Sequence, residues 1–415
     1  MIETMLITCC LGQVAEEDLG VFDTLSQAMQ DVGDSLTTGD PDGSWTLGID
    51  PWIDQTIWFY TQPPPDFLQS ETNVLYAPAI NLMGTATVGK AFDFTVYAMA
   101  SRGFDPTDES MEMILNEYFV TVRPFENRLL SLRAGQFGTC FGQWNRRFLS
   151  FENPLIDAPV PYGWMTSVGD GTTVPANPKS PVQLGRKGKA DNVPSWNPII
   201  WGPSYTSGFS AFGVIPAWDQ ANFDWAVEVK NASLSSRPSE WQFWDRNLAA
   251  PTVTSRVGAR PDPRWNFGGS FSRGGYLLSN PVARPGTTIT DPGSFMQTTW
   301  GLDGSYTHEW FEVWSEFIWN TFDQPAVGNL NSFSFFVEGK FNVATDAWLS
   351  ARWNSQFYGE LSNQTWDNNV QRIDLGGGMR LNDSFTFKIQ VSHTNESGSV
   401  GQGEWYGATQ LIMEF

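Results

Sequence analysis

The chain runs to 415 residues and carries 45 acidic against 24 basic side chains, a net charge of −21. A phosphate backbone would be repelled by that balance, which argues against nucleic acid as a partner. Past the N-terminus no apolar run approaches the roughly 18 residues of a membrane-crossing helix, and three cysteines with two histidines leave little material for a disulfide framework, a metal site, a haem or His-based catalysis.

The composition is aromatic without being greasy: 20 Trp and 30 Phe stand in a chain of mean hydropathy −0.27. Apolar residues are therefore dispersed, as they are in barrel strands of about ten residues with alternate positions apolar. Residues 1–15 read as an export signal, with an apolar stretch Met5–Leu11 and Gln13-Val14-Ala15 before a cleavage point, although no basic residue follows Met1. Leu6-Ile7-Thr8-Cys9 faintly resembles a lipoprotein box. Residues 16–44 form a periplasmic segment in which Leu19, Phe22, Leu25, Met29, Val32 and Leu36 recur at helical spacing. This helix rests on a barrel rim or plugs the lumen.

From residue 45 to 415 the chain reads as an all-β unit, an antiparallel transmembrane barrel. Strand-length windows alternate apolar and polar residues. Phe92–Ala100, Phe223–Lys230, Phe333–Val343 and Phe385–Ser392 are the clearest. A soluble sandwich also alternates, but an outer-membrane barrel in addition pairs short turns with long loops in strict alternation. Val88–Lys90 is short, Ser101–Met111 long, Pro124–Asn127 short, 138–207 very long and Ala217–Ala221 short. Working back from the C-terminus, Thr394–Glu404 is long, Leu381–Ser384 short, Tyr358–Asn369 long, Ala344–Asp346 short, Phe322–Leu330 long and Thr307–Glu309 short. The two series disagree in parity across Ala232–Pro263. One further strand, near Trp241–Arg246 or Pro251–Ala259, restores it. A strand at Gln55–Thr61 then gives about 16, with both ends in the periplasm.

Leu130-Ser131-Leu132-Arg133-Ala134-Gly135-Gln136-Phe137-Gly138-Thr139-Cys140-Phe141-Gly142 resembles the strand and following turn of the phosphate-selective porin O/P family. That resemblance implies an outer-membrane porin, and porins of this size assemble as homotrimers. Gly138 and Cys140 stand where that family usually has Lys and Pro, so phosphate preference does not carry over. The final strand, Trp405–Phe415, ends on an aromatic and looks like the segment outer-membrane proteins present to the barrel-assembly machinery, with Phe415 as the signal.

The longest strand-free segment, 138–207, is expected to fold inward and narrow the lumen. Its cations Arg146, Arg147, Lys179, Arg186, Lys187 and Lys189, with Arg133 on the preceding strand, would line a positive constriction favouring anions. Alternatively, 186–189 is a solvated loop tip, or meets acidic lipopolysaccharide at the rim. Glu228, Lys230, Glu312, Glu316, Glu338, Lys340 and Lys388 are the inward wall candidates, and both signs are present. Trp310, Trp314, Trp319, Trp348 and Trp353 belong to an interfacial girdle, or, for an inward Trp310 and Trp314, to a sugar-stacking track.

The expected function is passive diffusion of small solutes or ions through a water-filled channel, without catalysis or cofactor. Three other classes stay open: a barrel enzyme, for which only His308 and His393 offer a base; a barrel sheathing a partner such as an electron-transfer cytochrome, or a plugged or adhesin-type barrel; and a cation-binding surface at Asp40, Asp42 and Asp105–Glu112.

Overall fold

The computed structural model describes residues 26–31, 33, 36–61, 73–101, 111–171, 197–218, 220–278, 289–325, 327–397 and 403–415. Among these, sixteen long strands make one closed antiparallel barrel. In chain order they are β1 (Trp45–Tyr60), β2 (Val74–Val88), β3 (Phe92–Ser101), β4 (Glu112–Val122), β5 (Ser131–Phe137), β6 (Thr206–Pro216), β7 (Asn222–Lys230) and β8 (Thr252–Arg260). The second half comprises β9 (Trp265–Gly275), β10 (Met296–Thr307), β11 (Phe311–Gln324), β12 (Gly328–Ala344), β13 (Ala347–Tyr358), β14 (Val370–Arg380), β15 (Phe385–Glu396) and β16 (Glu404–Glu414). Each strand pairs with its sequence neighbours, and β16 closes on β1 with Tyr406 opposite Tyr60 and Glu414 opposite Trp52. Closure leaves no edge strand, which is what lets a sheet tolerate an apolar solvent.

The alternation in the sequence becomes two unlike faces. On β11, Phe311, Val313, Phe317 and Trp319 point outward and are exposed, whereas Glu316, Ile318, Asn320 and Phe322 point inward and are buried. The same holds around the ring, with Phe94, Phe209, Val257, Leu302, Leu349 and Ile373 on the outer surface. An encircling apolar belt of this kind is not stable in water and suits the hydrocarbon of a membrane. Outward Trp45 and Trp265 begin their strands near one rim, while Trp300, Trp319 and Trp405 lie toward the other. No helix among the described residues is long and apolar enough to cross a membrane, which says nothing about strands.

Among the described residues the short turns gather at one end, with a single exception. The connections 89–91, 217–221, 261–264, 308–310, 345–346 and 381–384 are short and lie at the end of the barrel that also holds the start of β1 and the end of β16. The strand missing from the parity count is Thr252–Arg260, the second of the two positions expected, and β1 is much longer than Gln55–Thr61. One expectation fails. Phe322–Leu330 is not a long loop, because β11 and β12 pair from Gln324 opposite Gly328 onward and only residues 325–327 link them. Gln, Pro and Gly mark the turn correctly, but the strands continue through Asp323 and Asn329, where polar residues at a strand end look like loop in the sequence.

Residues 26–31 are helical. Ser384 Oγ donates to the Ser26 carbonyl at 3.5 Å, and a Cβ on Gly33 would fall 2.6 Å from the backbone of Phe415. The segment thus meets the short-turn rim. Leu19, Phe22, Leu25 and Val32 lie outside the described residues.

Candidate functional site in the barrel lumen

Gly135 marks where the long loop departs. Its φ of +134° is open to glycine, and a Cβ there would meet the Tyr118 carbonyl oxygen at 2.2 Å. From Phe137 the chain turns inward and, among the described residues, 138–171 and 197–205 occupy the lumen, with Phe141, Trp144, Tyr162, Ile199 and Ile200 packed against Ile318, Phe322 and Phe336 of the wall. For the described residues the expected inward fold of the loop is realised, with a large apolar contribution.

Polar contacts fasten the loop at intervals. Glu316 of β11 accepts the backbone N–H groups of Gln143 and Trp144 through Oε1 at 2.6 and 2.7 Å, and the Tyr162 hydroxyl through Oε2 at 2.5 Å. Gly142 N–H donates to Ser270 Oγ at 3.1 Å, and Gln143 Nε2 to Asp303 Oδ1 at 2.5 Å. Further on, Lys388 of β15 donates to the carbonyls of Ser150, Asn153 (2.6 Å) and Leu155 (3.3 Å). Gln390 Oε1 accepts Ile156 and Asp157 N–H at 2.7 and 3.0 Å, and Asn354 Oδ1 accepts Val160 N–H at 3.2 Å. Wall side chains therefore grip loop backbone.

One set of charges forms a continuous chain. Arg147 Nη2 lies 2.5 Å from Glu338, Glu338 lies 3.1 Å from Arg352, Arg352 lies 2.9 Å from Asp374, Asp374 lies 3.0 Å from Arg372, and Arg372 lies 2.9 Å from Asp157. Three cations alternate with three anions, starting and ending on the loop. Tyr406 Oη completes it by donating to Asp157 Oδ2 at 2.6 Å. Such pairing is what permits charges to be buried at all.

The residues singled out in the sequence divide as follows. Arg147 is held by Glu338, with its guanidinium 3.5 Å above the Trp314 ring. Arg146 is exposed within the lumen, and its charged neighbours are Arg256, Asp224, Arg260 and Asp303. Arg133 points inward among the rings of Phe119, Phe137 and Phe212, at 4.3, 5.3 and 5.0 Å. Lys230 donates to the Phe137 carbonyl at 2.5 Å, and Glu228 accepts Thr139 Oγ1 at 3.3 Å. Glu312 and Lys340 face each other at 3.8 Å, and Lys388, Glu316 and Glu338 hold the loop as described. Trp310 lies exposed in a turn, whereas Trp314 and Trp348 point inward. Lys179, Arg186, Lys187 and Lys189 lie outside the described residues.

Sequence reasoning missed the fastening residues Arg352, Arg372, Asp374, Asn354 and Gln390, all on inward positions of alternating strands. It also missed a cleft of about 220 Å³ between loop residues 144–158 and the wall at β1–β3 and β16, lined by Trp52, Asp54, Trp58, Tyr97, Asp157 and Tyr406 among others. Period-2 alternation marks these positions as inward, but nothing in it says which face the loop and which face space.

No family model matches the chain, and no curated protein matches its sequence. Solved structures do. The barrel is similar to in-vitro folded OmpT of Vibrio cholerae in its trimer form, at 10% identity over 90% of this chain and 100% of that one, TM-score 0.51. It is similar to an anion-selective porin from Comamonas acidovorans at 10% identity over 89% and 100%, TM-score 0.52. It is also similar to Salmonella typhi OmpF, solved in complex with daunomycin, at 8% identity over 91% and 100%, TM-score 0.56. At such identities the likeness is one of fold: the chain has the sixteen-stranded barrel of outer-membrane porins.

Proposed function

We propose that this protein is an outer-membrane porin, a channel for passive diffusion of small solutes whose width is set by the inward loop. The observation that carries the reading is the loop itself. The described residues 138–171 and 197–205 fold into the lumen, and residues 142–162 are fastened to the inner wall from β9 round to β16, leaving the cleft of about 220 Å³ against β1–β3 and β16. Fixing a constriction at a set distance from one wall selects solutes by size and by the groups on that wall. The neighbours support the reading, since they include an outer-membrane protein and an anion-selective porin. Periplasmic placement of the short turns and termini, delivery by the assembly machinery through Phe415, and a homotrimer belong to the same proposal, the last supported by the trimer form of the OmpT neighbour.

Anion preference is part of the proposal in a restricted form. It would rest on Arg146, because Arg147, Arg256, Arg260, Arg352, Arg372 and Lys388 are occupied by carboxylates or loop carbonyls. A second reading, a barrel closed at rest, is favoured by the apolar packing of Phe141, Trp144 and Tyr162 inside the lumen. The sheath reading fares worse, because the chain's own loop takes the room a partner would need.

Planar-bilayer conductance of the refolded protein tests this. Steady steps, with a reversal potential under a potassium chloride gradient that favours chloride, are the expected result. A folded barrel without conductance would replace the porin reading by the closed barrel.

A further inference from the structure

Inward positions of β1 run Trp52, Asp54, Thr56, Trp58 and Tyr60, because alternate residues of a strand share a face. Two aromatic stations result. At the first, Trp52 stacks on Tyr97 of β3 with centroids 5.5 Å apart and planes at 15°. At the second, Trp58 and Tyr60 are parallel to within 2° at 6.2 Å, and Tyr406 of β16 stands 6.1 Å from Trp58 and 6.2 Å from Tyr60. Six residues of β1 separate the two, about 20 Å of strand.

Polar groups fill the interval. Gln410 Nε2 donates to Thr56 Oγ1 at 3.0 Å, and Asn81 Nδ2 to Asp54 at 3.0 Å. Among the lining's buried polar atoms outside a hydrogen bond, Trp52 Nε1, Asp54 Oδ1 and Ser150 Oγ gather around Asp54, and two more stand toward the second station. Trp58 is 6% exposed and Gln410 7%, yet neither the indole Nε1 of Trp58 nor Oε1 of Gln410 has a partner among the described residues. One is a donor and the other an acceptor, and both side chains line the cleft beside aromatic faces.

That combination discriminates between ligand classes. A hydrocarbon would leave the donor and the acceptor unpaired. An inorganic anion has no face to stack and would meet the carboxylates of Asp54 and Asp157. A sugar ring offers apolar C–H faces to the aromatic rings and a rim of hydroxyls that both donate and accept. The cleft is smaller than the roughly 300–1,000 Å³ of pockets for drug-sized ligands, which fits one ring at a time.

We propose that the β1–β16 cleft is a binding station for an uncharged pyranose sugar, held by stacking on Trp58, Tyr60 and Tyr406 and by hydrogen bonds to Trp58 Nε1 and Gln410 Oε1. Transit of that sugar rests on the channel reading above, whereas binding does not.

Isothermal titration calorimetry of the refolded protein with glucose and maltose tests the station, with sodium phosphate as the control and sugar block of the bilayer current as the transport readout. Saturable heat with either sugar and none with phosphate is expected. Trp58→Phe keeps a ring and loses the indole donor, and Gln410→Met keeps the shape and loses the acceptor; each weakens binding about threefold to tenfold, the effect of one hydrogen bond. Trp244→Phe, on a short helix away from the cleft and exposed, leaves it unchanged. No sugar heat from a folded barrel, or sugar binding equal in both cleft variants and the parent, would overturn the station. Conductance without sugar binding sinks the station and spares the channel; sugar binding without conductance does the reverse.

Discussion

Gly142 lies directly beneath the carboxylate of Glu316: a Cβ on the glycine would fall 2.6 Å from Oε2, and the residue's φ of +67° already favours glycine. That close approach lets the next two amides, of Gln143 and Trp144, reach the other carboxylate oxygen. Glu316→Ala strands two buried N–H groups and a tyrosine hydroxyl, each costing roughly 1–3 kcal/mol. The loop should loosen while the barrel persists. Limited proteolysis should cut within 138–171 in the variant and not in the parent, and single-channel conductance should rise, with the heat-modifiable mobility of a folded barrel kept.

Arg352 contacts both carboxylates at the centre of the alternating chain of charges and has no exposed side-chain surface. Removing one member of a buried ion pair costs about 3–5 kcal/mol. Arg352→Met should therefore lower the denaturation midpoint and the refolding yield more than Arg147→Met, whose partner Glu338 keeps Arg352. A chemical denaturation series followed by tryptophan fluorescence gives the ranking.

Two adjacent arginines should separate in their effect on selectivity. Arg146 is exposed to the lumen, and Arg147 is neutralised by Glu338. Charge in a wet lumen acts with roughly 1 kcal/mol at short range, so Arg146→Gln should reduce chloride preference several-fold. Arg147→Gln should leave the reversal potential nearly unmoved. Equal shifts in the two variants would show that the loop charges act together.

Asp170, on the loop, is buried beside Arg237 at 2.6 Å, and burial pushes its carboxyl up to about 6 despite that arginine. The folded value lies above the ordinary value near 3.9. The stabilisation it contributes is therefore complete below about pH 4 and is lost as pH rises through 6. Thermal unfolding should show stability falling across that window, and Asp170→Asn should flatten the profile.

Alternation and turn length made the barrel readable because both are local. Phe223–Lys230 and Phe385–Ser392 needed no partner to declare their two faces, and even the hidden strand Thr252–Arg260 followed from the parity of its neighbours. The site was less legible. Glu316, Glu338, Lys230 and Lys388 could be placed on the inner face, but what each meets there lies far along the chain: Lys388 reaches Asn153, and Arg372 reaches Asp157. Period-2 patterning carries no information on such pairings. A run of basic residues in a loop likewise reads as free charge until its counter-ion appears from another strand, as Glu338 does for Arg147.

Apart from the Asp157 carboxylate, the loop between Ser150 and Val160 is gripped from the wall through its peptide groups, which Lys388, Gln390, Arg352 and Asn354 grasp. Peptide groups are common to every residue type except for the missing N–H of proline. The half-buried side chains of this stretch are thus more exchangeable than those of the wall, the buried Leu155 and Val160 and the paired Asp157 excepted. A designer wishing to retune what passes could rewrite residues such as Leu149, Ser150 and Ile156 one by one, using the wall as a fixed jig that returns each new sequence to the same path.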